Sequence, residues 1–154
     1  MNLLKSIFHN IGVVIVGFVF AFPGTRLDLL LGLPACKSLL IAIVACLLLA
    51  MGFLIRVWAT FYFYERHMKV ISLVPQKTLI TSGPYRFSRN PLYLGGNVFI
   101  FLGAVLFLGS PSGIFLTAIN VLVMDIMIRR EEGQLERDFG EEWTRYRSRV
   151  RRWL

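Results

Sequence analysis

Four apolar runs, each close to bilayer-spanning length, constrain this chain more than any other feature. They fall at about 7–22, 38–64, 91–108 and 114–128. A hydrocarbon core of ~30 Å needs about 20 apolar residues of helix at ~1.5 Å rise per residue. The second run is longer than that, so its helix is expected to tilt or protrude. Hydrophobic residues make up 56% of the chain, and the mean hydropathy is +0.64, too apolar for an ordinary soluble domain. The expected fold is all-α: one polytopic membrane bundle covering 1–154, with about four spans and an amphipathic C-terminal tail at 129–154. The first run ends in expectation at Pro23-Gly24. No small-residue cleavage site precedes Pro23, so this segment reads as a retained helix and not as a signal peptide.

Charge sets the expected orientation. The chain carries 17 Lys+Arg against 9 Asp+Glu, a net +8. The connection after the second run holds Arg66, Lys69, Lys77, Arg86 and Arg89, and the tail is rich in arginine. The 109–113 turn has no charge, and the first loop sets Arg26 and Lys37 against Asp28. Both termini and the 65–90 connection are therefore expected on the cytoplasmic side. Attraction to membrane lipids accounts for the basic balance without nucleic acid. The short chain and small loops favour the cytoplasmic membrane of a prokaryote. In the tail, Leu135, Phe139, Trp143, Tyr146, Val150 and Trp153 recur at helical spacing, with a break expected at Gly140 and an Arg-rich opposite face suited to the membrane surface.

Chemistry concentrates in 78–96, a basic segment punctuated by glycine and proline. Asn90 stands where an N-cap belongs and Pro91 at the first helical position. Such a helix start favours an anion, and the neighbouring Arg89 can grip a carboxylate or phosphate through two bonds. Tyr93 lies one turn in. Gly95 and Gly96 remove side chains where a helix or a flat ligand must approach. The same residues also read as an interfacial loop that merely anchors the chain. A second group, Asp125, Arg129, Glu132 and Glu136, falls on one helical stripe beside Glu131; it is either functional or a salt-bridged surface. Arg56 sits inside the second apolar run. It either snorkels to the interface or turns inward to meet an acid such as Asp125 or a ligand carboxylate. Cys36 and Cys46 read as small packing residues. His9 and His67 stand alone, so no metal site is expected. No phosphate-binding loop or dinucleotide fingerprint occurs.

The run Gly83-Pro84-Tyr85-Arg86-Phe87-Ser88-Arg89-Asn90-Pro91-Leu92-Tyr93-Leu94-Gly95 resembles the Gly-Pro-Tyr-x-x-x-Arg-His/Asn-Pro-x-Tyr-x-Gly motif of the isoprenylcysteine carboxyl methyltransferase family, part of a wider group containing phospholipid N-methyltransferases. Glu131-Glu132-x-x-Leu135, Phe139-Gly140, Trp143 and Tyr146 are similar to that family's tail, and Arg56-x-Trp58-Ala59 to its preceding helix. The likeness covers about 50–154 and departs from the family at Asn90 and at the absent upstream His. It implies S-adenosylmethionine as cofactor, in a pocket made by the Gly-Pro-Tyr segment, the last two helices and the tail. The implied cofactor-binding set is Gly83, Pro84, Tyr85, Arg89, Asn90, Pro91, Tyr93, Gly95, Glu131 and Glu132. Arg89, Glu132 and Arg56 are the implied catalytic residues. Glu131 or Glu132 would hold the cofactor's ammonium, and Arg89 its carboxylate. The implied acceptor is a lipid-like molecule entering from the bilayer, an isoprenylcysteine-type carboxylate first and a phospholipid amine second. A non-catalytic module that binds acidic lipids or a partner is the alternative of a different class.

Overall fold

The computed structural model describes residues 1–67 and 78–154, and every element in them is helical. We label α1 Asn2–Leu31, α2 Leu39–Glu65, α3 Pro91–Leu108, α4 Pro111–Phe139 and α5 Glu141–Arg149. A 3-10 turn at Gly83–Arg86 precedes α3. The first four helices are all long and apolar enough to cross a membrane. Neighbouring spans run antiparallel. At one end Ser6, Thr60 and Leu92 gather around Arg56. At the other, Asp28 meets Ser110 and Ser112, and the Cys36 N–H donates to the Gly109 carbonyl. Lys69 and Lys77, which helped to set the expected orientation, lie outside the described residues.

Two boundaries differ from expectation. The first helix continues through Pro23 to Leu31. Proline removes one rung from a 30-residue helix, and Thr25 Oγ1 bonds the Phe22 carbonyl beside the break. Gly24 lets α1 lie directly on the start of α4, since a Cβ there would fall 2.6 Å from Gly113 Cα. The helix ends where Gly32 enters the left-handed region (φ 66) and caps the Asp28 and Leu29 carbonyls. The fourth helix starts earlier than 114 and ends later than 128. Ser110 accepts from the Gly113 N–H, Pro111 takes the first position, and Asp28 receives the Ser112 N–H at 2.9 Å. Its far end carries ion-paired polar residues beyond the apolar stretch.

α3 is not uniform. Leu94–Ile100 is wound as a π-helix between two α-helical pieces. This wide turn lies against α2, where Gly52 and Gly95 put backbone on backbone: a Cβ on Gly52 would sit 2.6 Å from the Gly95 carbonyl oxygen. Cys36 and Cys46, read as small apolar packing residues, are both exposed on the bundle and free. The tail helix breaks at Gly140 (φ 51), as its sequence suggests. Its apolar stripe turns inward, with Trp143 and Tyr146 buried.

The α2–α3 contact leads to a direct expectation. Gly52→Ala overpacks it and lowers stability by about 1–3 kcal/mol. Gly12→Ala, in a helix with nothing within 4 Å of the added Cβ, is neutral or stabilising by up to ~1 kcal/mol. Thermal unfolding of both variants in detergent separates the two.

Candidate active site

Arg89 and Glu132 are brought together and buried. Arg89 Nε and Nη2 each lie 2.9 Å from Glu132 Oε1, and Arg152 Nη2 lies 2.8 Å from Oε2. The side chains of Arg89 and Glu132 are only 8% and 7% exposed. Arg89 Nη1 donates to the carbonyls of Arg147 (3.1 Å) and Val150 (2.6 Å), the open end of α5. A cation among these free carbonyls is favourable. Arg89 also stacks over the Trp143 ring, 5.7 Å from its centroid. Asn90 occupies the N-cap position of α3, yet its side chain makes no cap bond and donates instead to the Arg152 carbonyl. Ser88 Oγ bonds the same carbonyl, and the Arg89 N–H donates to the Arg151 carbonyl at 3.0 Å. The 88–90 segment and the tail are thereby one unit. The Arg89 side chain, expected to face an open anion site, is occupied by the chain's own carboxylate and carbonyls.

Asp125 belongs to this network and not to Arg56. It pairs with Arg129 at 2.8 Å and with Arg152 at 3.4 Å, and accepts from Trp153 Nε1. Bonding to Glu132 raises the Arg152 pKa above the ordinary arginine value, against the burial that would lower it. Glu136 faces Arg147 at 3.5 Å. The predicted stripe 125–129–132–136 is thus a run of ion pairs with Glu132 at its buried centre. Glu131 points elsewhere: it is exposed and accepts from the Tyr93 hydroxyl at 2.6 Å.

Arg56 turns into the bundle. It is 9% exposed, with Nε donating to Asn10 Oδ1 (2.8 Å) and Nη1 to the Leu92 carbonyl (2.7 Å). No carboxylate pairs with it among the described residues. Gly95 and Gly96 exist for this side chain. A Cβ on Gly95 would meet Arg56 Cγ at 2.7 Å, and one on Gly96 would meet Nη1 at 2.7 Å. The close approach expected of the two glycines is therefore to α2.

The Gly-Pro-Tyr turn is held from both sides. Gly83, at φ 62, is packed against the Tyr62 ring. Pro84 and Tyr85 are buried, and Tyr85 stacks near Phe63 at 6.0 Å. The Tyr146 hydroxyl donates to the Tyr85 carbonyl at 2.7 Å. Burial pushes the Tyr85 phenol up, Tyr146 and Tyr93 add to the rise, and Arg56 opposes it. Burial pushes the Tyr146 phenol up as well, so both stay neutral hydrogen-bonding groups. Tyr85 Oη and Trp143 Nε1 are buried with no hydrogen-bond partner among the described residues. Buried polar atoms without partners are uncommon, and a bound ligand is one way to satisfy them.

Beside this turn lies a cleft of about 600 Å³, lined by Thr81, Arg86, Glu142, Arg145, Tyr146, Arg149 and Val150. That is within the ~300–1,000 Å³ typical of small-molecule sites. Its walls carry three arginines and one glutamate, none of them in an ion pair among the described residues. The sequence motifs take in Arg86 in the Gly-Pro-Tyr run and Tyr146 in the tail stripe, but none of Glu142, Arg145 and Arg149. The signal was present, because Glu142, Arg145, Tyr146 and Arg149 recur at steps of three and four on one face of α5. Such a cleft suits a zwitterionic ligand with separate carboxylate and ammonium groups.

The clasp is expected to be structural. Glu132→Gln strands the buried Arg89 and the half-buried Arg152 guanidiniums and costs about 3 kcal/mol, whereas Glu131→Gln stays within ~0.5 kcal/mol. Thermal unfolding of the two variants in detergent checks the contrast.

Residues 40–142 match the model of the phospholipid methyltransferase family. A Haemophilus influenzae protein with no assigned function is 43% identical over 56 residues, 36% of this chain and 89% of that protein. No solved structure matches the chain.

Proposed function

The chain belongs to the phospholipid methyltransferase family, a family of membrane methyltransferases, and we propose that it transfers a methyl group from S-adenosylmethionine to a lipophilic acceptor. One observation carries this reading: the cleft between the Gly-Pro-Tyr turn and α5, where a carboxylate and three guanidiniums, without ion-pair partners among the described residues, line one space next to Tyr146. The donor's amino-acid end carries both charges. Glu142 would take its ammonium, and Arg145 and Arg149, one turn apart, its carboxylate. When bound, S-adenosylmethionine supplies an electrophilic methyl on a sulfonium. The residues around the cleft bind, orient and keep water away, which is most of what such a displacement asks of a protein. The Arg89–Glu132–Arg152 clasp acts by holding the tail against the turn. Both termini and the cleft would face the cytoplasm.

For the acceptor we favour a carboxylate. Arg56 is a buried cation held by neutral groups alone among the described residues, so an anionic head group entering from the bilayer would complete it. Tyr85, with its unpartnered hydroxyl and its interaction with Arg56, stands beside that place. A phospholipid amine is the second reading. It draws on the matched family and on Glu131, which the tail arginines leave unpaired and which Tyr93 holds. An amine must lose a proton on methylation, and a carboxylate can take it.

Calorimetric titration of the purified protein in detergent is expected to show S-adenosylmethionine binding, about tenfold weaker in Glu142→Gln and in Arg145→Gln/Arg149→Gln. No heat and no thermal shift with wild type would reject the reading. Radiolabelled methyl transfer to a prenylcysteine analogue and to phosphatidylethanolamine decides between acceptors. Label in the first alone supports the carboxylate, and label in the second alone supports the amine.

A further inference from the structure

The first helix lies outside the residues matched by the family, yet it supplies the most confined contact to Arg56. Asn10 is fully buried, and its amide can sit only one way round. Nδ2 donates to the Ser6 carbonyl and to Thr60 Oγ1, both at 2.8 Å, which turns Oδ1 toward Arg56 Nε. Thr60 is itself tied to the α2 backbone through the Arg56 carbonyl at 2.7 Å, and Ser6 joins Thr60 through their hydroxyls and bonds the Val57 carbonyl. Ser6 and Thr60 are as buried as Asn10. The orientation of the amide is therefore fixed, because the Ser6 carbonyl can only accept and Arg56 Nε can only donate.

Its effect on the guanidinium is specific. Nε is turned to α1 and Nη1 to the Leu92 carbonyl, while Nη2 takes part in none of the hydrogen bonds among the described residues. Both partners are neutral. They fix the plane of the group without cancelling its charge. An aspartate at position 10 would keep the bond to Arg56 and cancel its charge, but would lose the donor to the Ser6 carbonyl. A buried cation without a carboxylate partner is costly, so the neutral amide leaves Arg56 short of a counter-charge.

We propose that Asn10 is a positioning residue: it aims Arg56 and leaves the guanidinium's charge and its Nη2 edge free for the anionic head group of the acceptor. This rests on the carboxylate reading above. α1 then takes part in acceptor selection as well as anchoring the chain.

The experiment compares wild type, Asn10→Asp and Asn10→Ala as full-length proteins in detergent. It measures the KM for a prenylcysteine carboxylate, the S-adenosylmethionine affinity and the thermal midpoint. Asn10→Asp is expected to raise the acceptor KM by about tenfold or more, with cofactor affinity within twofold of wild type. Asn10→Ala is expected to raise KM less, whichever variant has the lower midpoint. A merely structural Asn10 raises KM in Asn10→Ala at least as much as in Asn10→Asp; that result overturns the proposal. If Asn10→Asp does not fold, Asn10→Gln takes its place, because the longer side chain displaces the amide that aims Arg56. An unchanged acceptor KM in a folded Asn10→Gln overturns the proposal equally. Failure of the carboxylate reading shows itself separately, as wild type that leaves the prenylcysteine analogue unmethylated.

Discussion

A carboxylate gripped by two arginines decides the shape of the polar end of this protein. Glu132 lies one helical turn beyond the apolar part of α4, and Arg89 and Arg152 reach it from the turn before α3 and from the chain's last residues. Buried ion pairs seldom add much net stability, because desolvation offsets the attraction, but they penalise every alternative arrangement that leaves a charge alone. Here that penalty specifies position. Arg89 also closes the carbonyl end of α5, and Tyr146 reaches back to the Gly-Pro-Tyr turn. The cleft between the turn and α5 exists because these contacts hold its two walls at a fixed separation.

The bundle and the polar end meet at α3. Its π-helical middle and paired glycines bring the backbone against Arg56, and its first turn carries Tyr93 toward Glu131. A buried cation in one half thus stands close to the charged surfaces of the other. π-helical segments often occur at functional sites, since the widened turn is less stable than α-helix. Here it allows Leu92 to offer its carbonyl to the guanidinium. The arrangement suits chemistry between a water-borne donor and a membrane-borne acceptor, each approaching from its own phase.

Much of this was legible in the sequence. Run length and hydropathy named the four spans, and the tail break at Gly140 followed from the apolar spacing on both sides. Asn90-Pro91 correctly marked a helix start, but the side chain's true partner, the Arg152 carbonyl, is 62 residues away. No local rule supplies such a partner. Pro23 misled for a related reason: a proline ends a helix on local grounds, while packing of α1 along α4 carries this one onward. Arg89 and Glu132 were singled out as ligands for a cofactor. The geometry joins them to each other, because the sequence showed two opposite charges without showing that they face. The cleft residues of α5 were visible as a periodic set, yet a surface helix with mixed charge looks the same when nothing lies opposite it.

The most direct test of the central claim, that a methyl donor occupies the cleft between the turn and α5, is photochemical. Ultraviolet irradiation of the full-length protein with methyl-labelled S-adenosylmethionine, followed by peptide mapping, locates the bound molecule without requiring the acceptor. The account predicts label on peptides containing 81–86 or 141–150, suppressed by excess S-adenosylhomocysteine. Label confined to other peptides, or label that excess S-adenosylhomocysteine leaves unchanged, would contradict it.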